Sequence, residues 1–137
     1  MSMDFRTVNT TCSYCGCGCG LLLEVLDDKV ISTLPVKTHP VSQGSLCIKG
    51  WNIHEFIGSD QRLTQPLMRK GSELAPVSWD EAMDAAAQGL KQVVEKYGPD
   101  AVAVLASAKV TNEENYLIQK FTRAAIGTNN VDHCARL

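Results

Sequence analysis

Residues 12–20 read CSYCGCGCG, four cysteines interleaved with glycines and followed by the apolar run LLLEVL. Cys12, Cys15 and Cys19 form C-x2-C-x3-C, and Cys47 arrives later in SLCIKG. Cys17 lies inside the triplet, and Cys134 stands apart near the end. A structural zinc site usually takes two pairs of ligands, each gripping one edge of a tetrahedron. Here the division is three and one. Iron–sulfur clusters commonly take several close cysteines and a remote one, because one coiled loop reaches three corners of a cube. Gly16, Gly18 and Gly20 let backbone N–H groups approach sulfur. The pattern predicts a [4Fe–4S] cluster, with zinc as the competing metal and uncoordinated thiols as a third reading. Cys17 is read as a small buried or partly buried side chain, with replacement ligand as the alternative.

The bulk properties suit that chemistry. The chain has 137 residues, 13 basic and 15 acidic, with no basic stripe. Nucleic acid or an anionic membrane surface is therefore not expected as the main partner. No apolar run approaches the roughly 20 residues of a membrane-spanning helix. The start, MSMDFRTVNT, carries no basic and apolar leader pattern, so a cytoplasmic location is expected. Reducing surroundings disfavour disulfides and turn clustered thiols toward metal or redox roles.

Lys49, two residues after Cys47, is either a solvated lysine or a cation beside an anionic cluster. At roughly 6 Å and an effective dielectric of about 20, one charge contributes about 2.8 kcal/mol, or roughly 120 mV for a one-electron couple.

Around the cysteines the chain divides in two. Residues 20–26 and 30–36 flank Asp27-Asp28-Lys29 and predict a β-hairpin with a three-residue turn. A loop over 37–46 then brings Cys47 back to the first coil. Residues 60–76 read as a connection with short extended pieces. Ser78-x-x-Glu81, with Val77 ahead of it, predicts a capped helix ending at Gly98-Pro99. AVAVLA, 101–106, has the length and apolarity of a buried parallel strand. Thr111-x-x-Glu114 opens a second helix ending before Gly127, and a short strand is expected near Asn130-Val131. The fold class is mixed α+β and α/β. Residues 1–60 form a small β-rich cluster-binding subdomain, and residues 61–137 the beginning of an α/β domain. Its apolar faces are expected to be exposed, inviting aggregation or partner binding. The Ser107–Thr111 loop joins a strand end to a helix start, where open α/β sheets bind anionic ligands. Ser107 and Lys109 are candidates to contact a phosphate-bearing cofactor; a plain solvent-exposed loop is the alternative. His39, His54 and His133 are read as surface or locally bonded.

CSYCGCGC, SQGSLCIKG, LTQPL, PVSWDEA, YGPDAV, NEENYLIQKF and GTNNVDHCARL, in that order, resemble the N-terminal part of molybdenum- or tungsten-dependent oxidoreductases that bind two pterin guanine dinucleotides. Within that superfamily the chain is most similar to formate dehydrogenase catalytic subunits. The resemblance implies that Cys12, Cys15, Cys19 and Cys47 ligate a [4Fe–4S] cluster, and that Lys49 helps pass electrons between cluster and pterin. It implies oxidation of formate to carbon dioxide or the reverse, with electrons leaving to iron–sulfur partner proteins. Cys17 and Cys134 match no ligand of the family.

In that family pattern the metal-ligating selenocysteine or cysteine follows the segment matching CARL. Leu137 falls one residue short of it. The expectation is a UGA codon read as stop, or a divided chain, and an isolated polypeptide without formate chemistry. A stand-alone [4Fe–4S] electron carrier, and part of a related nitrate reductase, are the alternative readings.

Overall fold

A computed structural model describes residues 3–134. Residues 1–2 and 135–137 lie outside the described residues, and with them most of the CARL segment on which the selenocysteine expectation rests. Two compact units emerge: Met1–Arg62 with Ser107–Tyr116 and Cys134–Leu137, and Leu63–Ala106 with Leu117–His133.

The first unit is built on a three-stranded antiparallel sheet in the order β1 (Phe5–Thr11), β2 (Gly20–Leu26), β3 (Lys29–Pro35). The expected hairpin is present, but its turn is Asp27-Asp28 alone, and Lys29 pairs with Leu26. Both aspartates take positive φ, 46° and 62°. Short acidic side chains tolerate that region, and a two-residue turn of this kind matches strand twist. A register shift between Glu24 and Val25 bends the central strand. β1, for which the sequence carried no clear signal, pairs with β2 along its full length. Two short helices follow, α1 (Ile48–Trp51) and α2 (Ile53–Ile57). Leu21 is 0% exposed and packs with Cys12 and Ile53; Tyr14, Cys19, Leu23 and Leu46 close around them. Complete burial of a leucine contributes about 1.5–3 kcal/mol, so the apolar stretch after the cysteines anchors the coil that precedes it.

In the second unit, 67–76 forms a hairpin, β4 (Leu67–Lys70) and β5 (Glu73–Pro76), where only short extended pieces were expected. Helix α3 (Trp79–Tyr97) starts as predicted: Glu81 N–H donates to Ser78 Oγ at 3.1 Å. Glu81 turns its carboxylate to Lys70 at 4.0 Å. A short 3-10 turn, Pro99–Ala101, takes up the start of the AVAVLA run. The strand is therefore β6, Val104–Ser107, paired with β7, Val131–Cys134. It is not a buried strand: Leu105 is 84% exposed. A two-stranded ladder offers no second sheet face to cover it. Helix α4 (Asn112–Phe121) opens with a reciprocal cap. Thr111 N–H donates to Glu114 Oε2 at 2.7 Å, and Glu114 N–H to Thr111 Oγ1 at 3.3 Å. It passes into a π-turn, Thr122–Ile126, and ends at left-handed Gly127. The core here is small: Val77, Val102 and Ile126, with Thr122 and Thr128 buried among polar partners. Thr122 Oγ1 donates to Ile118 O, and Thr128 Oγ1 donates to Asp100 Oδ1.

Candidate metal centre

The cysteine coil is tied at both ends. Cys12 N–H donates to Cys19 O at 2.8 Å, continuing the β1–β2 ladder as the strands open. Within the loop, Gly18 N–H donates to Cys15 O at 3.2 Å, with Gly18 at φ +55°. That left-handed angle favours glycine. Asn112, the first residue of α4, donates its Nδ2–H to Gly16 O at 2.9 Å. The contact is tight, since a Cβ on Gly16 would lie 2.5 Å from Asn112 Oδ1. The sequence held no sign of this anchor, because its partners are 96 residues apart.

The four cysteines predicted as ligands lie on the loop between β1 and β2 and at the start of α1. Cys12 is buried, Cys15 and Cys19 half-buried, Cys47 exposed; Cys17, expected to be buried or partly buried, is exposed, because it lies outside the core around Cys12, Leu21 and Ile53. Burial raises the Cys19 thiol first, and the charges of Cys12, Cys15 and Cys47 raise it further. One sulfur thus senses the other three. Cys47 caps the start of α1, with Trp51 N–H bonded to its carbonyl at 3.1 Å. Its thiol is shifted down, chiefly by the N–H groups of Gly50 and Lys49, and less by the Lys49 charge. No side-chain cap bond of proper geometry forms at Cys47, so these N–H groups act as oriented dipoles. Lys49 is exposed and lines a shallow hollow with Tyr14, Asn52, Glu55, Phe56 and Ser59. Tyr14 and Phe56 meet edge to face, and the Arg62 guanidinium lies 5.1 Å from the Phe56 ring centre.

All four donors are soft thiols, the ligand type iron–sulfur clusters select. Among the described residues, no three His, Cys, Asp or Glu side chains are grouped to hold a metal ion. A cubane spreads its corners over several irons and does not need donors gathered at one point, as zinc does at about 2.3 Å. The donor set fits a cluster.

Ser107 and Lys109 also meet: Lys109 N–H donates to Ser107 Oγ at 3.0 Å. Asn115 Nδ2–H holds Ser107 O at 3.1 Å, and its Oδ1 is buried with no hydrogen-bond partner among the described residues. Cys134, given no role from the sequence, joins this group. Ala108 N–H lowers its thiol pKa first, followed by the Ser107 hydroxyl and the Lys109 charge. The histidines lie elsewhere. His39 Nδ1 accepts from Ser42 N–H at 3.2 Å, and His54 Nδ1 sits 3.0 Å from Thr33 Oγ1. His133 is exposed.

A family model described as Molybdopterin oxidoreductase Fe4S4 domain matches residues 5–59, and one described as Molybdopterin oxidoreductase matches residues 62–137. The chain belongs to the molybdopterin oxidoreductase family. Its two domains indicate a [4Fe–4S] cluster and a molybdenum or tungsten pterin cofactor. The chain is 51% identical over 134 residues to the F420-dependent formate dehydrogenase 2 subunit alpha of Methanococcus maripaludis, covering 98% of this chain and 19% of that protein. It is 47% identical to the corresponding subunit of Methanocaldococcus jannaschii, again over 98% of this chain and 19% of the other. The chain thus spans about a fifth of the length of these curated relatives. Among solved structures, acetylene hydratase from Pelobacter acetylenicus matches with a TM-score of 0.71 and 27% identity, over 91% of this chain and 18% of that one. Among the described residues no helix is long and apolar enough to cross a membrane.

Proposed function

We propose that Cys12, Cys15, Cys19 and Cys47 hold the [4Fe–4S] cluster of a formate dehydrogenase catalytic subunit. The whole protein interconverts formate and carbon dioxide in the cytoplasm and hands electrons to iron–sulfur partner proteins. The observation that carries this reading is the Fe4S4 domain match over residues 5–59, which contain all four cysteines, joined to the likeness of the chain to formate dehydrogenase alpha subunits. Residues 1–60 serve as the cluster subdomain and residues 61–137 as the start of the pterin-binding domain.

When bound, the cluster would supply one-electron storage. The chain's own residues set its surroundings. Leu21 and Ile53 keep water from Cys12, while Leu23 and Leu46 close over the same core. The N–H dipoles of Gly50 and Lys49 stabilise negative charge on the Cys47 sulfur. The Lys49 ammonium adds a positive field on the same side and favours electron arrival there. Ser107 and Lys109 contact a phosphate of the pterin dinucleotide, with the exposed Lys109 ammonium as the charge and Asn115 Oδ1 as an acceptor for a ligand N–H or O–H.

Anaerobic reconstitution with iron and sulfide, followed by metal analysis, tests the cluster. Four irons per chain are expected, and one zinc with no iron refutes it. Formate-dependent dye reduction by the full-length gene product tests the reaction, and a protein loaded with cofactor yet inert to formate refutes that part.

A further inference from the structure

We propose that His39 is a positioning residue: its ring locks the 36–45 loop against Gly20 and so sets where Cys47 stands beside the cysteine coil. The inference rests on the reading of Cys47 as the remote cluster ligand. Gly20 follows Cys19 directly, and the loop ends two residues before Cys47. His39 is the side chain that joins the two. A Cβ on Gly20 would lie 2.6 Å from His39 Cδ2 and 2.9 Å from Cγ, so the ring fills the space that a side chain at position 20 would need. Its Nδ1 accepts from Ser42 N–H at 3.2 Å, with Ser42 Oγ at the same distance. A backbone N–H can only donate, so Nδ1 carries no proton and the ring proton sits on Nε2.

The loop that the ring holds is wound, not slack. Val36 N–H donates to Gly20 O at 3.1 Å and His39 N–H to Val36 O at 3.1 Å. Gln43 N–H donates to His39 O at 3.0 Å and Ser45 N–H to Ser42 O at 2.7 Å. Gln43 and Gly44 both take positive φ, and a Cβ on Gly44 would lie 3.3 Å from Lys37 Cα. The loop thus folds back on its own start and acts as a spacer of fixed length. Leu46 packs against the core of Cys12, Leu21 and Ile53, but apolar contact is non-directional and does not set the angle at which the next residue approaches. The bond from Ser42 to His39 is directional. The hollow beside the ring is lined by Asn9, Thr10, Thr11, Gly20 and Val36, with no charged side chain. The ring therefore has no ionic partner there, and its role is geometric.

The test uses the 137-residue chain reconstituted anaerobically with ferrous iron and sulfide. A ferrous chelator and an alkylating agent are added, and mass spectrometry follows the labelling rate of each cysteine. Electron paramagnetic resonance records the reduced cluster before the challenge. His39→Ala should release Cys47 to the label about fivefold faster than wild type, the factor that one lost hydrogen bond implies. Cys12, Cys15 and Cys19 should keep the wild-type rate at early times, and the resonance signal should shift. His39→Asn, whose amide oxygen can take the place of Nδ1, should restore slow labelling of Cys47. His39→Gln, whose amide reaches the place of Nε2, should not. Val25→Ala, a cavity at a buried position of the same sheet, is the reference for general loosening, in which all four cysteines open together. The proposal is overturned if His39→Ala leaves Cys47 at the wild-type rate, or opens the four cysteines alike. It is also overturned if Asn protects Cys47 no better than Gln, a comparison that decides alone should His39→Ala fail to fold. A wild-type chain without iron overturns the cluster assignment itself, an outcome distinct from failure of the positioning role.

Discussion

Replacing Gly16 with alanine places a methyl group 2.5 Å from Asn112 Oδ1, inside any real contact distance. Asn112 can swing its amide away, but that forfeits the bond from Nδ2–H to Gly16 O. A hydrogen bond of this kind contributes about 1 kcal/mol net. Gly16 lies outside the left-handed region, so alanine adds no backbone strain. Alanine also restricts the unfolded chain, which stabilises by about 0.4–1 kcal/mol. The two effects nearly cancel. Gly16→Ala alone should thus be close to neutral, and Asn112→Ala should cost about 1 kcal/mol. In the Asn112→Ala background, however, Gly16→Ala should stabilise by about 0.4–1 kcal/mol, because nothing remains to clash with. The coupling energy is then about 1 kcal/mol, on the order of 4 °C in Tm for a chain of this size. Thermal unfolding of the four metal-free chains, followed by circular dichroism, completes the cycle. If Gly16→Ala has the same effect with and without Asn112, the clamp does not exist as described.

Lys49→Gln should lower the midpoint potential of the reconstituted cluster, since a cation that favours the reduced form is lost. Because Lys49 is exposed, screening reduces the shift to the order of tens of millivolts; an upward shift contradicts the relay role. In the metal-free chain, alkylation of Cys47 should titrate at lower pH than that of Cys17. The first thiol is held down by the Gly50 and Lys49 N–H groups, and the second is held up by Cys15. Lys49→Gln should move the Cys47 profile to higher pH, and an unchanged order after removal of that charge would show that the dipoles dominate. Ser78→Ala removes the cap of α3 and should cost about 1 kcal/mol, whereas Ser78→Asp should be nearly silent. Equal melting of both variants would rule out the cap as a stabilising contact.

What could be read from the sequence was local. The capped starts of α3 and α4 need only a hydroxyl and a carboxylate three residues apart, and both caps form. The hairpin of β2 and β3 was legible from its apolar runs, though not the two-residue turn, because Lys29 looks like a turn residue and behaves as a strand residue. β1 escaped notice because FRTVNTT alternates weakly and every residue in it is exposed; its partner defines it. α1 and α2 are four and five residues long, too short for helical periodicity to show. The cysteines proposed as ligands announce themselves by spacing. The Asn112 anchor and the company kept by Cys134 do not, since each joins residues far apart in sequence.

The Asn112 clamp has a bearing on synthesis. At about 5–20 residues per second, a ribosome needs roughly 5–20 s to add the 96 residues that separate Gly16 from Asn112. During that interval the nascent coil has all four of its closely spaced thiols and, once Cys47 emerges, the remote one as well, but not its latch. Delivery of iron before the latch arrives meets a pliable coil; delivery afterwards meets a fastened one.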